Sequence, residues 1–346
     1  MTDHESIRGR VVIVTGAGGS IGSELVKQIA RSGPHELILI DQSELALYDV
    51  NCAVEEMQGD VNVVSYLMDI RDQDAMRFAF AKHKPDIVFH AAALKHVPML
   101  ENDFNLTEAV RTNVLGTKIV ADLCSASGIA MVMISTDKAV NPSSGMGLTK
   151  RVAEIYLHGK AQRHPDTKIG LVRFGNVIGS SGSVVPLFQR QIAYGGPVTV
   201  THPGMTRYMM TIKEAVNLTI NASSLPADRF GCYVLDMGEP IRIADLAKQM
   251  IGDAYRKSIR LTPPKIEIEF VGMRPGEKLV EDLNYAWEEL EPTSVPLVCK
   301  AVTTFDPRPK LHLVEELLMA ANRRDHCHVK RLLVEIVPEY TGEVVY

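Results

Sequence analysis

The sequence has little that would suit it to an oxidising compartment, a bilayer or a polyanion. It holds only five cysteines, Cys52, Cys124, Cys232, Cys299 and Cys327, scattered with no CxxC pair. That spacing argues against a disulfide framework and a zinc site and predicts packed, reduced thiols. No window approaches the roughly 18 continuous apolar residues that a membrane-crossing helix needs. The amino terminus, MTDHESIRGR, is polar and runs straight into a strand, so no signal peptide and a cytoplasmic location are expected. A surplus of positive charge is missing as well. The net charge is -5 and the pI about 6.1, which gives no electrostatic reason to expect nucleic acid as a partner. Local basic patches for a small anionic ligand stay open.

What is present is a chain of 346 residues, 46% hydrophobic and 23% charged, suited to one large or two fused α/β units. Strand-like apolar runs are predicted at Val11–Thr15, Leu37–Ile40, Val61–Leu67, Ile87–His90 and Met131–Ser135. Helical spacing separates them, as at Ile21–Arg31 and Leu45–Met57. Near-continuous apolar strands alternating with helices predict a parallel sheet covered on both faces. After Lys150 the pattern loosens. A helix at Val152–Arg163 and a strand at Ile169–Phe174 are followed by Gly/Ser/Pro-rich loops at Gly175–Pro186 and Gly195–Gly204. Further on, Ile241–Ile251, Leu311–Leu318 and Cys327–Ile336 read as helices and Ile266–Val271 as a strand. The division expected is a doubly wound Rossmann domain over residues 1–175, its core extending to about 240 through crossing segments. Residues 176–346 would form mainly a smaller substrate-binding lobe.

Between the first strand and the first helix lies VVIVTGAGGSIGSELVKQIA, with Gly16, Gly19 and Gly22 at GxxGxxG spacing and Ser20 and Ile21 at the helix start. Glycines there permit a tight turn and a close backbone approach to a pyrophosphate, and the helix N-terminus favours an anion. Asp41 ends the second strand, where a carboxylate accepts hydrogen bonds from adenosine ribose hydroxyls and repels a 2′-phosphate. The pattern predicts NAD rather than NADP. Asp69, with Ile70 beside it, closes the third strand and is a candidate for the adenine amino group or, equally, for the N-cap of a helix starting at Arg71.

The GxxGxxG spacing resembles the short-chain dehydrogenase/reductase superfamily in its extended, sugar-nucleotide form. The small residues Ala91 and Ala92 after the fourth strand, and Asn113 in TNVLGT, match that superfamily and imply cofactor contacts. In MVMISTDKAVNPSSGMGLTKR, Lys150 holds the lysine position of the superfamily's YxxxK motif, which implies a bond to the nicotinamide ribose. Met146 holds the tyrosine position and cannot carry a proton. Thr136, Asp137 and Lys138 end the fifth strand, at the crevice where α/β folds bind ligands. A plain surface ion pair is the bland alternative for the last two.

The combined pattern STDKAVNPxxxMGxTKR, preceded by AALKHVPMLE, resembles the bacterial UDP-N-acetylglucosamine 4,6-dehydratases of polysaccharide and glycan biosynthesis, in the subgroup with Met for Tyr. The resemblance covers nearly the whole chain, and many larger relatives carry a membrane domain ahead of this one. It implies tightly bound NAD, a UDP-sugar substrate, Asp137 as the acid for the C6 hydroxyl and Lys138 as the base for the C5 hydrogen. Thr136 and a water would relay the C4 hydroxyl proton. Substrate contacts are expected from Lys95 after the fourth strand and from Asn176 and the Ser180–Ser183 loop, with Ser183 at its end. Arg207 and Arg274 would bond phosphate, and Glu277 the uridine ribose. His96 reads as a structural histidine. A homo-oligomer is expected through Asn105–Ser125 and Met146–Gln162, which would pair as helices on a self-complementary face. Two other readings compete: a sugar-nucleotide 4-epimerase, which needs no acid–base pair for C5 and C6, and a non-catalytic NAD-binding sensor, favoured only by Met146.

Overall fold

The computed structural model describes residues 4–57, 61–225, 230–257 and 265–342. Six strands, β1 (Val11–Thr15), β2 (Glu36–Asp41), β3 (Val63–Leu67), β4 (Ile87–His90), β5 (Ala130–Ile134) and β6 (Ile169–Arg173), lie in the order 3-2-1-4-5-6, all parallel. This is the Rossmann order, in which the strand sequence reverses between β1 and β4 and opens a crevice above their carboxyl ends. Phe230–Leu235 extends the sheet in parallel beyond β6. An antiparallel hairpin, Glu288–Pro292 and Val298–Thr303, brings the sheet to nine strands among the described residues.

The expected two-sided covering is seen residue by residue. Val12 and Val14 join one core with Leu25, Val26 and Val216, while Ile13 points the other way and packs with Val110, Val120 and Val152. Such alternation is the period-2 geometry of a strand buried on both faces. A third, smaller core unites Phe188, Val198, Val200, Ala247 and Ile251 in the loosely patterned second half. Helices begin where the sequence supplies caps: Ser43, Asp72, Asn102 and Ser144 each accept a backbone N–H in the first turn, and Thr211 with Glu214 forms a capping box.

Several expectations shift. The third strand starts at Val63, and Ile241–Arg242 pairs with Thr206–Arg207 before a helix runs from Ile243 to Lys257. The helix through Asn113 is not uniform, because Val110–Gly116 is wound as a π-helix between α-helical segments. The face expected to pair two subunits is covered within the chain. Helices Leu311–Asn322 and His326–Ile336 lie across it, joined by Lys118–Glu315 (3.5 Å), Asp103–Lys330 (3.0 Å) and Thr107–His326 (2.7 Å). Helix Gly145–Arg163 is buried over most of its length, so an oligomer would have to use another surface. Among the described residues no helix is long and apolar enough to cross a membrane.

Candidate active site

At one end of the crevice the glycine turn shapes a pocket lined by Gly16, Gly19, Asp41, Asp69, Ile70 and Ala92. Gly16 has φ +66, and a Cβ there would lie 2.6 Å from the Ala92 backbone, so a side chain would close the gap between β1 and β4. Gly19 is the N-cap of helix Ser20–Arg31 and offers no side-chain cap, which leaves the first N–H groups for an anion. Gly22 sits in the first turn beneath Gly16. Ile21 is partly buried and packs against the core. Ser20 Oγ instead meets the Ser180–Ser183 loop, accepting from Ser181 N at 3.1 Å. The Asp41 carboxylate is fixed by Gly18 N and Ser43 N, both at 2.9 Å, which aims it at the turn.

Two assignments at this end need correction. Asp69 is not a helix cap: Asp72 caps helix Gln73–His83, and the Asp69 carboxylate is gripped by the Arg71 guanidinium at 2.6–3.0 Å. Burial pushes its pKa up, but the Arg71 bonds outweigh that and hold it below the ordinary value. Asn113 is wholly buried, and both its amide hydrogens are used within the chain, on Leu94 O and Thr149 Oγ1, each at 2.9 Å. It clamps the loop after β4 to helix Gly145–Arg163 and leaves Thr112 to line the pocket.

At the other end, β5 runs into Ser135 and a short 3-10 turn, Asp137–Ala139, capped by Thr136. Asp137 is fully buried. Its Oδ1 accepts from Thr136 Oγ1 and Lys138 Nζ, both at 2.9 Å, and its Oδ2 has no partner among the described residues. Gly175 makes room for that oxygen, since a Cβ there would stand 2.8 Å from it. Lys138 Nζ also donates to Asn176 Oδ1 at 3.0 Å. The sequence-predicted residues Thr136, Asp137, Lys138 and Asn176 thus form one cluster, and a plain surface ion pair is excluded by the burial of Asp137.

On helix Gly145–Arg163, Lys150 is 6% exposed and donates to Ile134 O at 2.6 Å. Burial pushes its pKa down to about 8. Burial and the Lys150 charge together push His90 down to about 3, and its ring is shared between Thr15 (2.7 Å) and Thr117 (2.9 Å). Met146 is buried against Leu100 and Ala109, an apolar seat with no proton path.

Substrate candidates divide. Arg207 is buried, bonded to Thr206 O and 3.7 Å from Glu281. Arg274 and Glu277 share a turn, with Arg274 N donating to Glu277 Oε2 at 3.1 Å, and Arg274 is exposed. Lys95 is exposed on the loop after β4, and neighbouring His96 packs against Gly182. Ser183 precedes helix Val184–Ala193, its Oγ buried and without a partner among the described residues.

Two groups escaped sequence reasoning. Segment 278–288 wraps the Asp137–Ala139 turn: Lys278 Nζ reaches Val140 O (3.0 Å), Tyr285 OH reaches Ala139 O (2.8 Å), and Glu281 comes within 3.9 Å of Lys138 Nζ. Behind the turn, Ser135 Oγ donates to Glu154 (2.6 Å), which also takes two bonds from the buried Arg173 guanidinium (2.9 and 2.7 Å). Arg173 continues to Glu288 at 2.7 Å, and Arg151 joins Glu154 to Glu339. A charged run such as EKLVED reads as solvated surface until its burial is known.

Residues 12–303 match the family described as "Polysaccharide biosynthesis protein". The chain belongs to that family. It is 48% identical over 282 residues to the "Probable polysaccharide biosynthesis protein EpsC" of Bacillus subtilis, covering 80% of this chain but 45% of that protein, so it spans about half of that relative's length. A "UDP-glucose 4-epimerase" of Rickettsia canadensis is 34% identical over 284 residues, covering 79% of this chain and 77% of the relative. Among solved structures, Pen from Bacillus thuringiensis superposes with a TM-score of 0.76 at 30% identity, over 86% of this chain and 89% of its own. The extended short-chain dehydrogenase/reductase fold read from the motifs is the fold observed.

Proposed function

We propose that the chain is an NAD-dependent 4,6-dehydratase of a UDP-N-acetylhexosamine, UDP-N-acetylglucosamine being the first substrate to test, and that it yields the UDP-4-keto-6-deoxy sugar. The observation that carries this reading is the Asp137–Lys138 pair: a fully buried acid with one free oxygen, 2.9 Å from an amine, at the end of β5. The glycine turn, the uncapped helix start at Gly19 and the carboxylate of Asp41 fit a dinucleotide without a 2′-phosphate. NAD held there would supply reversible hydride acceptance for the oxidation at C4 of the sugar and the reduction at C6.

The chain's own groups move the protons. Shifting the one proton along the Lys138–Asp137 hydrogen bond turns an ion pair into a neutral acid beside a neutral amine, with no change in net charge. Asp137 then protonates the departing C6 hydroxyl, and Lys138 removes the C5 hydrogen that the 4-ketone acidifies. Lys138, whose ammonium protons exchange with solvent, then returns one to C5. The C4 hydroxyl proton, taken through Thr136 or a water, restores Asp137, and the sum is loss of one water. Met146 gives shape only, and the buried Lys150 charge orients the cofactor ribose. Arg207, Arg274, Asn176 and the Ser180–Ser183 loop would grip the diphosphate, and Glu277 the uridine ribose, with Lys95 toward the sugar.

The Rickettsia relative favours a second reading, 4-epimerisation of a UDP-sugar. Epimerisation leaves C5 and C6 untouched and has no use for a buried acid–amine pair. Incubation with UDP-N-acetylglucosamine and mass analysis separate the two. Loss of one water supports the dehydratase, an unchanged mass with a new isomer supports the epimerase, and an untouched substrate leaves only NAD binding.

A further inference from the structure

We propose that Glu281 is a positioning residue for the Asp137–Lys138 pair, coupling occupation of Arg207 by the substrate diphosphate to retention of a proton on the catalytic carboxylate. The proposal rests on the dehydratase reading and extends it to a residue 144 positions beyond Asp137 in sequence.

Glu281 is 5% exposed, and its Oε1 stands 3.9 Å from Lys138 Nζ and 3.7 Å from Arg207 Nη2. Lys138 and Asp137 face it from the turn after β5, Arg207 from the short strand Thr206–Arg207, and Lys278 from its own segment. The clamp that places it is redundant: Lys278 on Val140 O, Ser143 Oγ on Gly276 O (2.9 Å) and Tyr285 OH on Ala139 O. A glutamate seated so firmly beside a reacting pair has a defined electrostatic effect.

Two carboxylates, Asp137 and Glu281, thus stand among the cations of Lys138 and Arg207, the third cation, Lys278, is paired with Asp282 at 3.1 Å, and the charges balance. Burial pushes the Glu281 carboxyl above its ordinary value, Asp137 adds to that, and the three cations oppose it. A diphosphate on Arg207 brings extra negative charge and removes the balance. Holding both carboxylates ionised then becomes costly; Glu281 takes up a proton from solvent, and the pair keeps its one shared proton where Asp137 needs it as an acid. Glu281 touches no reacting atom in this account. It sets the charge state of the groups that do.

The experiment has two arms on the full chain with bound NAD. The first is titration calorimetry with UDP at about pH 6 in two buffers of different ionisation enthalpy. Wild type should take up a fraction of a proton on binding, and Glu281→Gln should lose most of that uptake while still binding UDP. Zero uptake in wild type, or equal uptake in the variant, overturns the proposal whether or not the protein dehydrates anything. The second arm is the pH profile of kcat for water loss. With one negative charge removed, both limbs should move to lower pH by about one unit. KM should stay within about threefold, and Glu281→Asp should bring the profile back. A folded Glu281→Gln protein, shown by an unchanged melting transition, with an unmoved profile would contradict the inference. Absence of water loss in wild type would sink the dehydratase reading and leave the calorimetric arm to judge Glu281.

Discussion

Above β1, β2 and β4 the crevice is shaped by backbone: a glycine turn, an uncapped helix start and a carboxylate fixed by two N–H groups. Above β5 and β6 it is shaped by side chains gathered from residues 136–138, 176, 207 and 281, and stiffened from behind by the Glu154–Arg173–Glu288 ion pairs. On the proposed reading the first end takes a dinucleotide common to a superfamily, and its turn, helix start and carboxylate all lie between Gly16 and Ser43. The second would, on the proposed reading, perform the chemistry particular to one reaction, and it depends on charges brought together over long separations. Substitutions should therefore damage the two ends in different currencies, cofactor selectivity at one and rate or stability at the other.

The largest effect is expected at Asp137. Asp137→Asn keeps the shape and removes the acid for the C6 hydroxyl, so dehydration should fall about 10²–10⁴-fold with NAD binding unchanged. Hydrogen exchange at C5 in heavy water should survive in this variant and vanish in Lys138→Met. Rates near wild type for Asp137→Asn would dissolve the contrast between the two ends.

Next comes the scaffold. Burial pushes the Glu154 carboxyl up, but Arg173, Arg151 and Ser135 outweigh it and hold the group at about 2. Its folded value is depressed, so its contribution to stability is present above the unfolded value of about 4.3 and is lost as pH falls toward 2. Glu154→Gln leaves Arg173 short of a buried partner and should cost about 3–5 kcal/mol near neutrality. Urea melts should show the gap to wild type closing below about pH 4. A gap that is constant with pH would mean that Glu154 acts by packing.

A smaller change is expected at the backbone-built end. Asp41→Ala should narrow the preference for NAD over NADP by about tenfold, read as the ratio of dissociation constants, because it removes repulsion from a 2′-phosphate. Equal affinity of the wild type for both cofactors would refute the ribose role. The smallest effect belongs to Met146. Met146→Leu preserves volume in its seat beside Leu100 and Ala109 and should cost less than about 1.5 kcal/mol. Turnover should stay within about threefold of wild type, and its abolition with binding intact would show that Met146 does more than fill space.

The same contrast explains what could be read before the fold was known. Apolar runs and glycine spacing are local signals, so the parallel sheet and the place of Gly16 and Asp41 were legible. Thr136, Asp137 and Lys138 were legible because they are consecutive and resemble a family motif. Glu281 was not, because a glutamate in EKLVED looks solvated and only its burial beside Lys138 gives it a role. The hairpin Glu288–Pro292 with Val298–Thr303 was missed for a related reason: its first strand, EELEP, is acidic and exposed along most of its length, lacking the apolar run that marks a central strand. The expected subunit face failed because amphipathic helices state that a face will be buried but not by what. Here helices from residues 311–336 of the same chain cover it. Asn113 was placed correctly in its motif, yet its bonds to Leu94 and Thr149 turn it inward.

The central claim is that Asp137 and Lys138 eliminate water between C5 and C6 after oxidation at C4. UDP-N-acetylglucosamine carrying deuterium at C4, turned over in ordinary water, tests it most directly. The account predicts a product lighter by one water, with the label moved to C6 of the same sugar; in heavy water, unlabelled substrate should gain one deuterium at C5. A product of unchanged mass, or one whose C4 label has gone to solvent, would contradict it.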